Sequence, residues 1–320
     1  MTRPPVLSRL KLTPSFVEAL ADGYEILGPH DDPIGALGDA RTTVRAMLTM
    51  GTVGATRELM EALPALGLVL CIGSGYERVD LQAARDRGIL VGNGPGANAA
   101  CVADLAMTLV LATVRRIVDG DRFARSGTWA GNAAVRRPMT PGIGELRLGV
   151  LGLGDIGLRI AKRAEAFEMQ VGYCNRRPRA DVAYPYFETV HALAEWCDVL
   201  VVALRADAAN HHLVDASVLD ALGPQGYVVN IARGFVVDEA ALIAALQAGR
   251  LAGAGLDVYE HEPAIPDALR AFPNVVLTPH IGGGTTRAQR GMAALARRNL
   301  DAFFAGRPLE TPVDTAPAGA

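Results

Sequence analysis

The 320-residue chain has few of the features that mark specialised classes of protein. It holds four cysteines, Cys71, Cys101, Cys174 and Cys197, and no two have the spacing of a metal or redox pair. Most lie in apolar runs, which predicts buried reduced thiols in a cytoplasmic protein and no bound metal. An excess of one charge is also missing. The 31 basic and 34 acidic residues give a net charge of −3, and their interspersion leaves no footprint for nucleic acid. Arg115-Arg116 and Arg297-Arg298 read as helix surfaces. No stretch reaches roughly 18 uninterrupted apolar residues, so no membrane span is expected. The most apolar helical pattern, 102–118, is interrupted by Asp104, Thr108, Thr113, Arg115 and Arg116. Residues 1–10 lack the apolar core of a signal peptide, and no repeat at solenoid spacing is present.

What the chain does have is 50% apolar and 20% charged residues, enough to pack two ordinary domains. Only 314–320, rich in Ala and Pro, is expected to stay outside them. Two strand–helix series follow one another. The first has β-like runs at 44–49, 66–72 and 89–91, with weaker ones at 5–10 and 24–28 and helical patterns such as 14–21 and 55–63 between them. Gly92-Asn93-Gly94-Pro95-Gly96 then breaks any regular element and reads as a hinge. A long helix is expected at 99–125 and an irregular loop at 127–141. The second series has strands at 147–151, 170–174, 199–204, 227–231, 252–256 and 275–277, six in all, the count of a complete dinucleotide-binding domain. A last helix at 286–304 follows it and could return to the first domain. Alternation of this kind predicts an α/β protein with parallel sheets covered by helices.

The motif Gly152-Leu153-Gly154-Asp155-Ile156-Gly157 follows the apolar strand Leu148-Gly149-Val150-Leu151 and opens a helix at 158–167. Such glycines permit a tight turn, close approach to a pyrophosphate and close helix–strand packing. The end of the next strand chooses the dinucleotide, because an acid there would hold the ribose 2′-hydroxyl of NAD. Here it reads Asn175-Arg176-Arg177-Pro178-Arg179, with no acid before Asp181. Asn175 cannot repel a 2′-phosphate, and Arg176 and Arg177 can pair with one, so NADP(H) is favoured, with NAD(H) as the alternative.

Three chemically different residues stand after later strands: Arg233 in Asn230-Ile231-Ala232-Arg233-Gly234, Glu262 just before Pro263, and His280 in Thr278-Pro279-His280-Ile281-Gly282. Open α/β sheets place their chemistry beyond the carboxyl ends of the strands. A guanidinium clamps a carboxylate, an imidazole delivers a proton near neutral pH, and a carboxylate orients that imidazole. The combination suits reduction of a 2-keto acid. His211 and His212, ahead of a helix start near Asp215, read as surface or capping residues.

With these residues the chain resembles the D-isomer-specific 2-hydroxyacid dehydrogenases, in their glyoxylate/hydroxypyruvate and hydroxyphenylpyruvate reductase branch. The likeness runs from Leu66 to Pro312 and includes Ile72-Gly73-Ser74-Gly75-Tyr76, Asn93-Gly94-Pro95-Gly96-Ala97-Asn98 and Val102-Ala103-Asp104. It implies a Rossmann-type nucleotide domain at 99–285 and a flavodoxin-like substrate-binding or lid domain at 1–98 and 286–320, with the site in the cleft between them. Arg233 is then expected to bind the substrate carboxylate and carbonyl oxygen, His280 to protonate that oxygen, and Glu262, rather than Glu260, to orient His280. Ser74 and Gly75 match the loop whose backbone N–H groups hold the carboxylate. Ile231 and Asp257 match residues beside the nicotinamide carboxamide, and Leu204, Gly282 and Gly283 complete the expected cofactor set with the glycine motif, Asn175, Arg176 and Arg177. The implied reaction turns a small 2-keto acid into the D-2-hydroxy acid, in a homodimer with Trp129 on the dimerisation arm. Thr49, Met50, Gly51, Tyr76 and Trp129 are candidates for the side-chain pocket, which the sequence leaves open among glyoxylate, hydroxypyruvate and phenylpyruvate types.

The chain departs from the family at Arg205-Ala206-Asp207-Ala208-Ala209-Asn210, where relatives carry a Pro and a Thr-containing turn, and Arg205 could add a phosphate contact there. Gly282-Gly283-Gly284 is also looser than the usual continuation. A nucleotide-sensing corepressor and a phosphite or formate dehydrogenase are the competing readings. The complete trio weighs against the first and the keto-acid-reductase likeness against the second.

Overall fold

The computed structural model describes residues 3–30, 33–131, 138–205 and 207–315. It divides into two compact units, Met1–Asn98 with Gly284–Ala320, and Ala99–Gly283. In the first, strands β1 (Pro5–Ser8), β2 (Glu25–Leu27), β3 (Ala46–Thr49), β4 (Leu68–Cys71) and β5 (Leu90–Gly92) form a parallel sheet ordered β2-β1-β3-β4-β5. This is the doubly wound flavodoxin-like order. All five stand within the runs expected from sequence, apart from a one-residue overhang of β5. Strands buried on both faces read as unbroken apolar runs, and β3 and β4 are buried along their whole length. Helix Thr286–Phe304 belongs to this unit. It packs on helix Pro14–Ala21, and Tyr24 Oη donates to Asp301 Oδ1 at 2.6 Å. Arg297 pairs with Asp301 and Asp22, and Arg298 with Glu310.

The second unit holds β6 (Arg147–Leu151), β7 (Gln170–Cys174), β8 (Tyr186–Phe187), β9 (Val199–Val202), β10 (Tyr227–Asn230), β11 (Gly253–Leu256) and β12 (Val275–Leu277). They form one parallel sheet ordered β12-β11-β10-β9-β6-β7-β8. Among the described residues seven strands replace the expected six. The additional one, β8, is two residues long and pairs only Tyr186 and Phe187 with Tyr173 and Cys174, too short to leave a periodic signal. Counting from β6, the first six strands have the classical dinucleotide-binding order, and β12 extends the edge. The order reverses between β6 and β9, so the loops after these two strands flank a natural ligand crevice.

The long helix expected at 99–125 is two helices, Ala99–Val114 and Ile117–Arg125. Arg116 between them has φ 51°, a left-handed conformation costing a non-glycine residue about 1–2 kcal/mol. Burial changes at the same point. Ala99–Val114 buries ten residues against the sheet, whereas Ile117–Arg125 buries none. Arg115-Arg116 is therefore a junction rather than a helix surface. Within the loop expected at 127–141 a short helix runs Thr128–Gly131, and 132–137 lie outside the described residues. The four cysteines are all buried and none is in a disulfide, and no helix among the described residues is long and apolar enough to cross a membrane.

Candidate active site

The glycine motif is shaped by three different constraints. Gly152 has φ +99°, and a Cβ there would stand 2.4 Å from Leu204 Cα. At Gly157 a Cβ would meet Gly152 O at 2.1 Å, so the helix can press onto the turn only without a side chain. Gly154, which precedes helix Asp155–Ala166, faces open space with no atom within 4 Å of a built Cβ. An unobstructed backbone at a helix N-terminus is what a pyrophosphate requires. Asp155, in the first turn, is paired with Arg159 at 2.8 Å.

The end of β7 clamps this turn. Asn175 Oδ1 accepts from Leu153 N at 2.7 Å, and Arg179 Nη1 donates to Leu153 O at 2.8 Å. Arg179 is held in turn by Asp181 at 2.5 Å, while its backbone N–H donates to Tyr173 Oη at 2.8 Å. The part played by Arg179 is not legible in the basic run, because its partner is a backbone carbonyl 26 residues away. A cavity of about 680 Å³ opens beside the turn, lined by Gly152, Gly154, Asn175, Arg176, Leu204 and Arg205 among others. Its volume is in the range of small-molecule sites. Its walls come from the loops after β6, β7 and β9, as the strand order predicts, and its residues fit a dinucleotide.

The segment that departs from the family has a structural role of its own. Asp207 receives Arg176 Nη2 at 2.6 Å, Asn210 Nδ2 at 2.8 Å and Ala209 N at 3.1 Å. Burial alone would raise its carboxyl, but Asn210 and Arg176 outweigh that and lower it. Arg176 remains largely exposed, and Arg177 stands exposed beside it. Ala206 lies outside the described residues.

Strands β10, β11 and β12 end level, since Asn230 pairs with Leu256 and Leu256 with Leu277. Their following loops therefore leave the same sheet edge. After β10, the buried Asn230 accepts Ala232 N at 3.0 Å and donates to Arg233 O at 3.0 Å, which curls the chain so that Arg233 closes the loop. Ile231 is buried and donates its N–H to Val202 O at 3.2 Å. Gly234 permits a crossing of chains, because a Cβ there would lie 1.8 Å from Tyr259 C. The guanidinium of Arg233 donates to Ala232 O at 2.7 Å.

After β11, the buried Asp257 organises the other half. Its Oδ1 accepts from Thr278 Oγ1 at 2.7 Å and Ile281 N at 2.8 Å, and its Oδ2 from Gly282 N at 3.0 Å. The backbone N–H of His280 donates to Asp257 O at 2.9 Å. These bonds hold His280 at φ 52°, a left-handed backbone that persists only where its surroundings impose it. Gly283 ends the unit.

His280 Nδ1 lies 2.8 Å from Glu262 Oε2. An ionised carboxylate only accepts, so the pairing puts the proton on Nδ1 and directs Nε2 outward as the second functional nitrogen. Tyr259 N steadies the other carboxylate oxygen at 3.2 Å. Burial would raise the Glu262 carboxyl, but the hydrogen bond and charge of His280 prevail. Tyr259 N–H and the Arg233 charge add to them, and the carboxyl is held below its usual range. The structure thus brings Arg233, Glu262 and His280 together. Glu260 faces elsewhere, its Oε1 3.0 Å from His212 Nε2, so His212 is neither a cap nor a plain surface residue.

In the first unit, Ser74 and Gly75 follow β4 on a loop tied down by Asn93 Nδ2, which donates to Ser74 O at 2.8 Å. Gly94 N donates to Gly73 O at 2.8 Å. Thr49 is fully buried with its hydroxyl donating to Gly54 O at 2.8 Å, which removes its side chain from the pocket candidates. Trp129 is 60% exposed.

Residues 107–282 match the family model described as "D-isomer specific 2-hydroxyacid dehydrogenase, NAD binding domain". The chain is 44% identical over 273 residues to glyoxylate/hydroxypyruvate reductase A of Arabidopsis thaliana, covering 85% of this chain and 86% of that one. It is 42% identical over 271 residues to hydroxyphenylpyruvate reductase of Plectranthus scutellarioides, with the same shares covered. The crystal structure of the NADPH-dependent glyoxylate/hydroxypyruvate reductase of Sinorhizobium meliloti with NADP and malonate superposes with a TM-score of 0.90 at 38% identity, over 99% of this chain and 98% of the other. Sequence, fold and site agree, and the chain belongs to the reductase-like branch of the D-isomer-specific 2-hydroxyacid dehydrogenase family, whose members are NAD(P)-dependent oxidoreductases.

Proposed function

We propose that the protein is an NADPH-preferring reductase that converts a small 2-keto acid, of the glyoxylate, hydroxypyruvate or phenylpyruvate type, to the D-2-hydroxy acid. The observation that carries this reading is the 2.8 Å pairing of His280 with Glu262, within reach of the Arg233 charge. When bound, the reduced nicotinamide supplies hydride to the keto carbon. Arg233 grips the substrate carboxylate and stabilises the carbonyl oxygen as negative charge builds on it. His280 gives that oxygen its proton from Nε2, and Glu262 keeps the imidazole oriented and favours its cationic form. Ser74 and Gly75 offer backbone N–H groups to the carboxylate, and Ile231 and Asp257 serve the nicotinamide end. In this reading Met1–Asn98 with Gly284–Ala320 is the substrate unit and Ala99–Gly283 the nucleotide unit. Oxidation of NADPH by a panel of the three keto-acid types tests the proposal, and a chain inert to all of them would refute it, as a purely nucleotide-sensing protein would be.

Two charges decide the coenzyme. Arg176 engages Asp207 through Nη2 from an exposed position, and a 2′-phosphate would compete with Asp207 for that guanidinium. A doubly charged phosphate is the stronger acceptor. Arg176→Ala is expected to lower kcat/KM for NADPH by about 10- to 100-fold, the worth of one charge-assisted hydrogen bond. The value for NADH should stay within about twofold, since NADH has no 2′-phosphate to lose. Parallel losses with both coenzymes, or a wild-type enzyme that favours NADH, would remove the NADPH assignment.

The carboxylate–imidazole pair has its own signature in pH. The Glu262 carboxyl is held below its usual range, so it stays ionised and paired across the neutral range. Its support of His280 is lost only as pH falls through that lowered range. Glu262→Gln should lower kcat/KM at neutral pH and remove this acid-side fall. An unmoved profile would separate the two residues functionally.

The same reading makes the protein a homodimer. Ile117 and Trp129, 57% and 60% exposed, lie on the arm that a second copy would cover. Sedimentation velocity should give twice the 33.6 kDa chain mass, and a monomer at micromolar concentration would contradict this.

A further inference from the structure

His211, His212 and Glu260 are left over by the reductase chemistry, yet they are arranged with unusual care. Their ligand-capable atoms all lie within 4.8 Å of one another. The two imidazoles lie tilted by 31° with ring centres 3.9 Å apart, and His211 also lies near-parallel to the Phe235 ring at 6.1 Å. His212 takes up a left-handed backbone, φ 51°, with its N–H donating to Phe235 O at 2.8 Å. Val214 and Val237 then bridge the two segments in parallel, with Val214 N donating to Val236 O and Asp238 N to Val214 O, both at 3.0 Å. Glu260 is anchored from behind, its N–H donating to Glu239 Oε2 at 3.4 Å.

We propose that His211, His212 and Glu260 bind one borderline divalent transition-metal ion, of the Zn²⁺ class, with water completing the coordination. Two imidazole nitrogens and a carboxylate are the donors such ions prefer, whereas Mg²⁺ and Ca²⁺ prefer oxygen alone. Ligands at about 2.0 Å from a tetrahedral ion stand about 3.3 Å apart. The His212 Nε2 to Glu260 Oε1 separation of 3.0 Å therefore needs to widen only slightly. His211 is exposed, so turning its ring to the ion meets little resistance. Behind His212, Nδ1 faces Asp238 Oδ2 at 3.7 Å. A carboxylate on the far nitrogen is the usual outer support of a metal-bound histidine. A plain His212–Glu260 ion pair accounts for neither the second imidazole nor Asp238. Occupancy would join the 208–213 segment, whose Asn210 and Leu213 line the cavity, to the segment that carries Glu262.

The test uses the full-length protein stripped with a chelator, titrated with Co²⁺ followed by its visible absorption, and with Zn²⁺ in competition with a chromophoric chelator. One ion per chain at micromolar affinity is expected. His211→Ala and Glu260→Gln should each weaken binding at least about tenfold, and Asp238→Asn, which preserves the helix cap, by about tenfold. His191→Ala, at the exposed pair with Glu195, should leave affinity unchanged. Zn²⁺ should raise the Tm of the wild type but not of His211→Ala. Absence of stoichiometric binding, wild-type affinity in both His211→Ala and Glu260→Gln, or loss of affinity in His191→Ala would each overturn the proposal. None of these outcomes bears on the reductase reading, which uses none of the three side chains.

Discussion

His280→Ala should lose about 10²- to 10⁴-fold in kcat with keto acid, the usual contribution of a positioned general acid. Its dissociation constant for NADPH should stay within about twofold, because the phosphate end of the site belongs to the turn after β6 and not to the loop after β12. The imidazole owes its position to three supports: the Glu262 carboxylate at 2.8 Å, the Asp257 carbonyl on its own N–H, and the Asp257 carboxylate on the residues either side. The backbone stays in place when the ring is removed, so the variant should fold and bind coenzyme normally. His280→Gln should not rescue turnover, since an amide can donate a hydrogen bond but cannot transfer a proton at neutral pH. Stopped-flow turnover together with fluorescence titration of NADPH separates these effects. An alanine variant with undiminished turnover would exclude His280 as the acid.

Arg233→Ala should be equally severe but differ in form. A guanidinium that holds the carboxylate in the ground state and the carbonyl oxygen in the transition state contributes to both KM and kcat. A combined loss of about 10³-fold or more in kcat/KM is expected, corresponding to roughly 4 kcal/mol. Arg233→Lys should recover only a small part, because an ammonium lacks the planar fork that meets two oxygens at once. The loop is shaped mainly by Asn230 and by the crossing at Gly234, and the guanidinium adds a single bond to Ala232 O, so Tm should change little. A normal KM for keto acid in Arg233→Ala would show that the carboxylate is held elsewhere.

These roles were legible in the sequence to different degrees, for identifiable reasons. The buried strands were easy to recognise because a parallel strand covered on both faces has no polar alternation. β8 was invisible because two residues carry no period. The helix break at Arg116 left no glycine or proline as a sign, since it follows the loss of a surface to bury against. The glycine motif was readable as a pattern, but its division of labour was not. Only the packing shows that Gly152 and Gly157 are pressed by backbone while Gly154 is open. In the sequence Asn175 stands as an uncharged group that does not repel a 2′-phosphate, and Arg176 and Arg177 as groups that can pair with one. In the fold Asn175 is bonded to the glycine turn and Arg176 to Asp207. Asp257 was expected beside the nicotinamide, and its hold on 278–282 could not be inferred because two of its three partners are backbone N–H groups.

The chain on its own determined the order of its main strands and helices, the three glycines and the identities of the reacting groups, because these rest on local spacing and on side-chain chemistry. The resemblance singles out Glu262 over Glu260 by its place before Pro263, but the physical reason that this carboxylate meets His280 lies in the tertiary structure. Glu260 and Glu262 are two residues apart on one loop, and three strands ending level, a chain crossing at Gly234 and the Asp257 clamp bring Glu262 to the imidazole and turn Glu260 to His212. Distances of that kind depend on contacts between residues far apart in sequence, and only the packed fold supplies them.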